Sequence, residues 1–225
     1  MIRNLLITFF AIIIIIIING CAASYVPNVA NTPLLSNQGE VQLAVYTGSS
    51  GVDPQLAFAI TDHLGVMANG SFANRTDDST DSYHKHQFYE MGIGYYTKIG
   101  TIGRFETFGG YGFGKLRALC DNNLWVSEAD VYNNRIFFQP TLGITRKIFD
   151  GSIATRVVMV NVYQGSFNET NMFVEPVLTL KVGLKFIKIV GQVGFSFPMD
   201  TDNLNFTYQP FMMSIGLHAN LNQIF

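Results

Sequence analysis

A chain of 225 residues with 14 basic and 16 acidic side chains, a formal charge of −2, offers no broad positive surface, which argues against nucleic acid as a partner. Charged residues make up 13% and aromatic residues another 13%, with 21 glycines, against roughly 25% charged in an average soluble domain. Something other than water is therefore expected to face much of the surface, and one domain is expected, since all-β barrels reach roughly 200–250 residues without dividing.

The first element is a leader. Arg3, the apolar run from Leu5 to Ile18 and the Asn19-Gly20 step precede Cys21, in the order of a charged region, an apolar region and a small residue before a cut. The run is short of the about 20 apolar residues a transmembrane helix needs. Ile18-Asn19-Gly20-Cys21 resembles the lipobox of bacterial lipoproteins, where a thiol is required because diacylglycerol is attached to the cysteine sulfur through a thioether. The resemblance implies a signal peptide over 1–20, a lipidated N-terminal tether over 21–38 and a β-domain over 39–225, with lipidation at Cys21. A plain signal peptide cut nearby and an uncleaved anchor are the alternatives. Cys120 is then a lone thiol, and no disulfide framework is expected.

From Gly39 onward, apolar residues recur at every second position, the period of a strand with two unlike faces. Val41, Leu43 and Val45 open the pattern; 56–60 and 66–72 follow after turn-rich 47–51. In 88–98, Met91, Ile93 and Tyr95 oppose Glu90, Gly92 and Gly94; in 104–115, Thr107, Tyr111 and Phe113 oppose Arg104, Glu106, Gly110, Gly112 and Gly114. Ile136, Phe138, Leu142 and Ile144 oppose Arg135, Gln139, Thr141 and Gly143. Around 153–163 both faces are apolar, and only Arg156 marks the inward side. Val174, Leu178, Leu180 and Val182 then oppose Glu175, Thr179, Lys181 and Gly183; Val193, Phe195 and Phe197 oppose Gln192, Gly194 and Ser196; Met213, Ile215 and Leu217 oppose Ser214, Gly216 and His218. The count is ten strands, or eight if the second and seventh segments are not full strands.

Links alternate in length. Short ones fall at 61–64, 99–103, 149–151 and 186–188, and longer polar ones at 73–87, 120–130, 164–171 and 199–209, with 47–51 on the same side. Short turns at one rim and long loops at the other, on an even number of strands, are the organisation of an outer-membrane barrel. Both termini then fall on the short-turn, periplasmic side, where a lipid on Cys21 enters the inner leaflet.

Alternation alone does not say which face is outside, because a soluble calyx has the same period reversed. Three features favour lipid on the apolar side. The polar rows are glycine-rich and carry Glu90, Arg104, Glu106, Arg135, Arg156, Glu175 and Lys181, which can neutralise one another in a narrow lumen. Aromatic residues near strand ends, Tyr95, Tyr96, Phe105, Phe186 and Tyr208, suit interfacial girdles. The alternating last strand closes on Phe225, which resembles the C-terminal assembly signal of such barrels, with Asn222-Gln223 departing from the alternation.

The mature chain resembles the small, largely uncharacterised outer-membrane β-barrel lipoproteins of Gram-negative bacteria. The resemblance is carried by Tyr25-Val26-Pro27-Asn28, Asn31-Thr32-Pro33-Leu34-Leu35, Gly39-Glu40, Ala59-Ile60-Thr61-Asp62-His63, Glu90-Met91-Gly92-Ile93-Gly94-Tyr95-Tyr96 and Gly109-Gly110-Tyr111-Gly112-Phe113-Gly114. It implies a fold and a place in the cell envelope rather than an activity.

Candidate chemistry is sparse. The seven lumenal charges suit a paired plug, with a small-solute path as the lesser alternative, because charges of both signs enclosed by lipid must pair. His84 and His86 point the same way on a strand and lie near Asp77, Asp78 and Asp81, but no third ligand has metal spacing, and a solvated loop is favoured. His84 with Ser79 or Ser82 imitates a hydrolase arrangement that His63 and His218 are too far away to complete. Trp125 is read as packing a loop onto the rim, with a partner contact as the alternative.

The sequence thus reads as all-β: a single antiparallel up-and-down transmembrane β-barrel of about ten strands, preceded by a lipoprotein signal peptide. The expected function is a structural or surface-interaction role exerted through extracellular loops, without enzymatic activity, metal or cofactor. Expected partners are outer-membrane lipid, the barrel assembly machinery during biogenesis and an extracellular partner at the loops. The alternatives are a lipid-tethered soluble periplasmic barrel holding a hydrophobic ligand and a narrow small-solute channel.

Overall fold

The computed structural model of the chain describes residues 22–77, 80–121 and 126–223, so Cys21, Asp78, Ser79, Trp125 and Phe225 lie outside the described residues. The strands are β1 (Val41–Gly48), β2 (Gly51–Ala59), β3 (Leu64–Asp77), β4 (Ser82–Ile99), β5 (Gly103–Asp121), β6 (Val126–Thr145), β7 (Phe149–Gln164), β8 (Phe167–Gly183), β9 (Ile187–Phe195), β10 (Phe197–Pro198) and β11 (Phe211–Asn220). Each pairs antiparallel with its sequence neighbour from β1 to β9; β11 pairs with both β9 and β1, which closes the cylinder. The two residues of β10 continue the line of β9 along β8, so there are ten staves. The second and seventh segments are full strands, which settles the count at ten rather than eight. Closure leaves no sheet edge with unpaired backbone groups.

The faces follow the alternation. Met91, Leu142, Ile153, Ile189 and Ile215 stand outward and exposed, whereas Glu90, Glu106, Arg135, Arg156 and Glu175 point inward and are buried. This is the reverse of a calyx, so the soluble ligand-holding barrel expected as the first alternative is corrected. Arg156 does mark the inward face of β7, together with Ala154, Val158 and Val160.

We call the end with turns 49–50 and 165–166 and the connection 199–210 the crown, and the opposite end the base. At the crown the expected long loops are largely strand: β3 and β4 pair out to Asp77 and Ser82, β5 and β6 to Asp121 and Val126, and β7 and β8 to Gln164 and Phe167. Beyond the apolar belt both faces of this hairpin are polar, with Asn74 beside Lys85 on one face and Arg75 beside His84 on the other, so the ladder continues after its hydrophobic alternation ends. Within the described residues, only 199–210 is a long connection with little regular structure.

The outer wall carries an aromatic belt at the crown side, with Tyr89, Tyr111, Phe113 and Tyr132 exposed and ring pairs Tyr89–Phe113 at 5.9 Å and Tyr132–Tyr163 at 5.5 Å. Tyr95 and Phe186 are exposed toward the base. Tyr96 and Tyr208, expected in the girdles, turn inward: Tyr96 is fully buried, and Tyr208 packs against the inner apolar cluster. On β5, Phe105 to Phe113 spans roughly 27 Å along the strand at about 3.4 Å per residue, and less along the tilted axis. That is close to the ~25 Å apolar band of outer-membrane barrels.

Residues 22–38, expected as a tether outside the barrel, run through its lumen. Ala22, Ala23, Tyr25 and every residue from Asn28 to Leu35 are buried. This strap starts at the crown, where Ser24 and Tyr25 donate their backbone N–H groups to the Thr207 carbonyl and Tyr25 forms a parallel bridge with Tyr208. It ends at the base, where Gly39 donates to the Ala59 carbonyl. The start of the described chain and the end of β11 therefore lie at opposite ends, not both at the base.

The glycine rows explain how the lumen holds both a strap and large side chains. A Cβ added at Gly110 would meet the Met91 carbonyl oxygen and come within 2.5 Å of the Phe137 ring, and one at Gly112 would come within 2.6 Å of the Phe88 ring. These inward aromatics lie flat over a wall without side chains. Gly110→Val is expected to unseat Phe137 and to lower the temperature at which the heat-dependent gel shift is lost, at a cost of about 1–3 kcal/mol for overpacking. Gly109, with no atom nearer than 3.7 Å to an added Cβ, is the control: Gly109→Ala should leave the shift in place.

Candidate functional site

The seven charges foreseen in the lumen all point into it, and all are buried. They do not form one network. Four make a central cluster of balanced charge: Arg135 binds Glu90 at 3.0 Å, and Arg156 binds Glu175 at 2.9 Å and Glu90 at 3.6 Å. Arg135 stacks 3.7 Å above the Phe88 ring centroid, and Arg156 lies 5.9 Å from that of Phe137, so the aromatics seated on the glycine floors carry the guanidinium groups. Asn69 donates to Glu90 at 2.9 Å, and Ser196 to Glu175 at 2.9 Å.

The strap completes this cluster. Tyr25 Oη donates to Glu175 at 2.6 Å. Asn28 Oδ1 accepts from both Arg135 and Arg156, and the Asn28 carbonyl accepts from Arg156 at 3.2 Å. Below it, Gln192 clamps Ala30 as a strand would, accepting from its N–H at 2.7 Å and donating to its carbonyl at 2.9 Å. Gln139 and Gln55 donate to the carbonyls of Asn31 and Val29, each at 2.8 Å.

The other three foreseen charges hold the strap rather than one another. Lys181 donates to the Thr32 carbonyl at 2.9 Å, Glu106 accepts the Leu35 N–H at 2.6 Å, and Arg104 donates to Ser36 Oγ at 2.8 Å. Between Thr32 and Leu35, Leu34 has φ 60°, the left-handed region that costs a non-glycine residue of order 1–3 kcal/mol.

Two small spaces lie inside the belt. One of ≈ 20 Å³ lies beside Tyr25, His86 and Arg135, and one of ≈ 10 Å³ beside Thr32, Tyr46 and Lys181, room for about one water at most. At the base a vestibule of ≈ 750 Å³ opens outward, floored by strap residues Leu34 and Ser36 and lined by Lys98, Arg146, Lys185 and Lys188.

At the crown, His84 and His86 share a face and are in contact, Nε2 to Nδ1 at 2.9 Å, and His86 Nε2 lies 3.0 Å from Ser71 Oγ. Ser82 engages the Asp121 backbone, donating to its carbonyl at 3.2 Å; Ser79 lies outside the described residues. Among the described residues no group of three or more His, Cys, Asp or Glu is placed to hold a metal. In the 199–210 connection, the Asn203 side chain and the backbone N–H groups of Asn203 and Asp202 hold the Asp200 carboxyl below the usual carboxylate range. Cys120, expected as a lone thiol, is buried and is not a free cysteine.

Sequence reasoning missed the strap, although its composition carried a signal. Residues 22–38 contain no charged side chain and include Val26, Val29, Leu34 and Leu35, unlike a solvated linker. Pro27 and Pro33 lack a backbone N–H, which leaves two fewer donors to satisfy inside the lumen.

No protein-family model matches the chain, and no curated protein does. Among solved structures it is similar to the translocator domain of the autotransporter NalP from Neisseria meningitidis, with 10% identity over 80% of this chain and 86% of that chain and a TM-score of 0.43. At that level the likeness carries no functional weight.

The central cluster sets a stability expectation. Arg156→Met leaves Glu90 and Glu175 short of a buried partner and should cost about 3–5 kcal/mol, as breaking a buried pair does. Adding Glu175→Gln should recover part of that loss. Urea unfolding of the barrel in lipid vesicles, followed by tyrosine and tryptophan fluorescence, reads both.

Proposed function

We propose that this chain is an integral barrel of the bacterial outer membrane, lipidated at Cys21, with a closed lumen and a structural or surface-interaction role exerted through the crown. The observation that carries this reading is the outward apolar belt on a closed barrel that turns Glu90, Arg104, Glu106, Arg135, Arg156, Glu175 and Lys181 inward, an arrangement that suits lipid outside and paired charge within. Its partners on this reading are membrane lipid, the barrel assembly machinery during biogenesis and a surface partner at the crown hairpins and the 199–210 connection. No catalytic role is assigned.

Carbonate-washed outer membranes of wild type and Cys21→Ala, run unboiled and boiled on detergent gels, test the barrel. Both should keep a heat-dependent mobility shift; release of Cys21→Ala into the soluble periplasm would leave the lipid as the sole anchor and overturn the embedded barrel. Lipidation has its own test, because Cys21 is the sequence's other cysteine and one sulfur cannot carry both a thioether and a disulfide to Cys120. The mass of the N-terminal peptide before and after reduction should show the acylated form; a mass change on reduction would sink the lipidated reading.

The plug is tested by conductance in planar lipid bilayers. Wild type is expected to stay silent, and a variant lacking 24–36 to show steps, since the lumen then retains Arg104, Glu106 and Lys181 around water. Steps of equal size in both would mean that the strap does not close the barrel.

A further inference from the structure

We propose that the chain is threaded outward: the strap leaves the lumen at the crown, so residue 21 and the lipid it carries belong to the outer face of the membrane, not to the periplasmic leaflet. The inference rests on the membrane reading above and adds the side from which the anchor acts.

The direction of the strap is fixed at three heights. At the crown, Thr207 Oγ1 donates to the Ala22 carbonyl at 2.7 Å, Asn133 donates to the Ser24 carbonyl at 2.8 Å, and Gln209 donates its N–H to the Tyr25 carbonyl at 2.9 Å. These bonds, with the single bridge between Tyr25 and Tyr208, tie the start of the strap to the 199–210 connection. Midway, Asn28 sits between Arg135 and Arg156. At the base, Lys98 donates to Asn37 Oδ1 at 2.7 Å, and Glu40 accepts the Ser36 N–H at 2.8 Å. Ala22 itself is buried. Consecutive Cα atoms lie about 3.8 Å apart, whereas the belt is about 25 Å tall. Residue 21 therefore cannot reach the base while Ala22 keeps its bonds. An acyl chain on it enters the bilayer from the crown side, the side that carries Tyr89, Tyr111, Phe113 and Tyr132 on the outer wall.

The test uses full-length protein in cells, in a Cys120→Ser background, with Ser24→Cys and Asn37→Cys placed at the two ends of the strap and Asn203→Cys as a crown marker. A membrane-impermeant maleimide is applied to intact and to permeabilised cells, and the heat-dependent gel shift identifies folded protein. Ser24→Cys should label to the same extent before and after permeabilisation, and Asn37→Cys only after it. Labelling of Ser24→Cys only after permeabilisation, while Asn203→Cys labels on intact cells, would overturn the outward threading and leave the membrane barrel standing. If Asn203→Cys also needs permeabilisation, the membrane reading fails and the threading with it. The Cys120→Ser parent separates the lipid from the path. An unlabelled parent means a blocked Cys21, whereas labelling on intact cells means a bare Cys21 outside, so that the threading holds and the lipidation does not. If Ser24→Cys lacks the gel shift, an epitope inserted between Cys21 and Ala22 replaces it, with antibody binding to intact cells expected and binding only after permeabilisation overturning the proposal.

Discussion

Asn28 Oδ1 accepts from two arginines that are themselves almost fully buried, and much of the interior depends on that meeting. Arg135 and Arg156 bring two positive charges into a space closed off from water, and Glu90 and Glu175 balance them in number but do not fill every guanidinium direction. A buried charge without a partner costs several kcal/mol. The remaining N–H groups are met in part by an uncharged amide and a backbone carbonyl from a segment that precedes the barrel in sequence. The wall and the strap thus solve one problem together: the strap's backbone needs polar partners inside the lumen, and the lumen's charges need donors and acceptors that the wall alone does not supply.

Space is the second half of that arrangement. Glycines at 92, 110, 112 and 114 remove side chains from one stretch of wall, and the rings of Phe88 and Phe137 settle onto them. The rings support the guanidinium groups, and these meet Glu90, Glu175 and Asn28 near the axis. Each layer positions the next. A change at Gly110, where the atoms nearest an added Cβ belong to the Phe137 ring and the Met91 backbone and to no charged side chain, therefore disturbs an arginine, which is why a wall substitution and an ion-pair substitution are expected to disturb the same interior.

Much of this was legible in the sequence wherever two faces differ. Met91, Ile93 and Tyr95 against Glu90, Gly92 and Gly94 give strand, register and sidedness at once, because the period of two leaves no other way to segregate them. Arg156 alone oriented β7, since a charge on an otherwise apolar segment has one affordable direction. The same logic failed where alternation ends. Asn74, Arg75 and Thr76 continue β3 with polar residues on both faces, and a ladder standing in water leaves no hydrophobic trace. It failed again for Tyr96 and Tyr208, because an aromatic near a strand end can face either side. The strap was the largest omission: Lys181, Glu106 and Arg104 looked like partners for one another because nothing in their spacing shows that Thr32, Leu35 and Ser36 stand between them.

The surfaces that remain for a partner follow from what the others already do. On the membrane reading, the belt is occupied by lipid. The lumen is occupied by the strap, with residual spaces of ≈ 20 and ≈ 10 Å³. The base keeps an open vestibule of ≈ 750 Å³ whose floor is the strap itself, so anything that enters it meets Leu34 and Ser36 rather than a passage. The crown differs in kind. Its hairpins extend past the belt with paired backbones, and the 199–210 connection is held on one side by β8, through the Met172 carbonyl and Asn171, and on the other by the strap through Thr207, Tyr208 and Gln209. A surface held from two directions loses little further freedom when it is bound, which lowers the ordering cost of recognition. On that reading the strap acts at two places at once: it fills the lumen, and it pins the 199–210 connection at the crown.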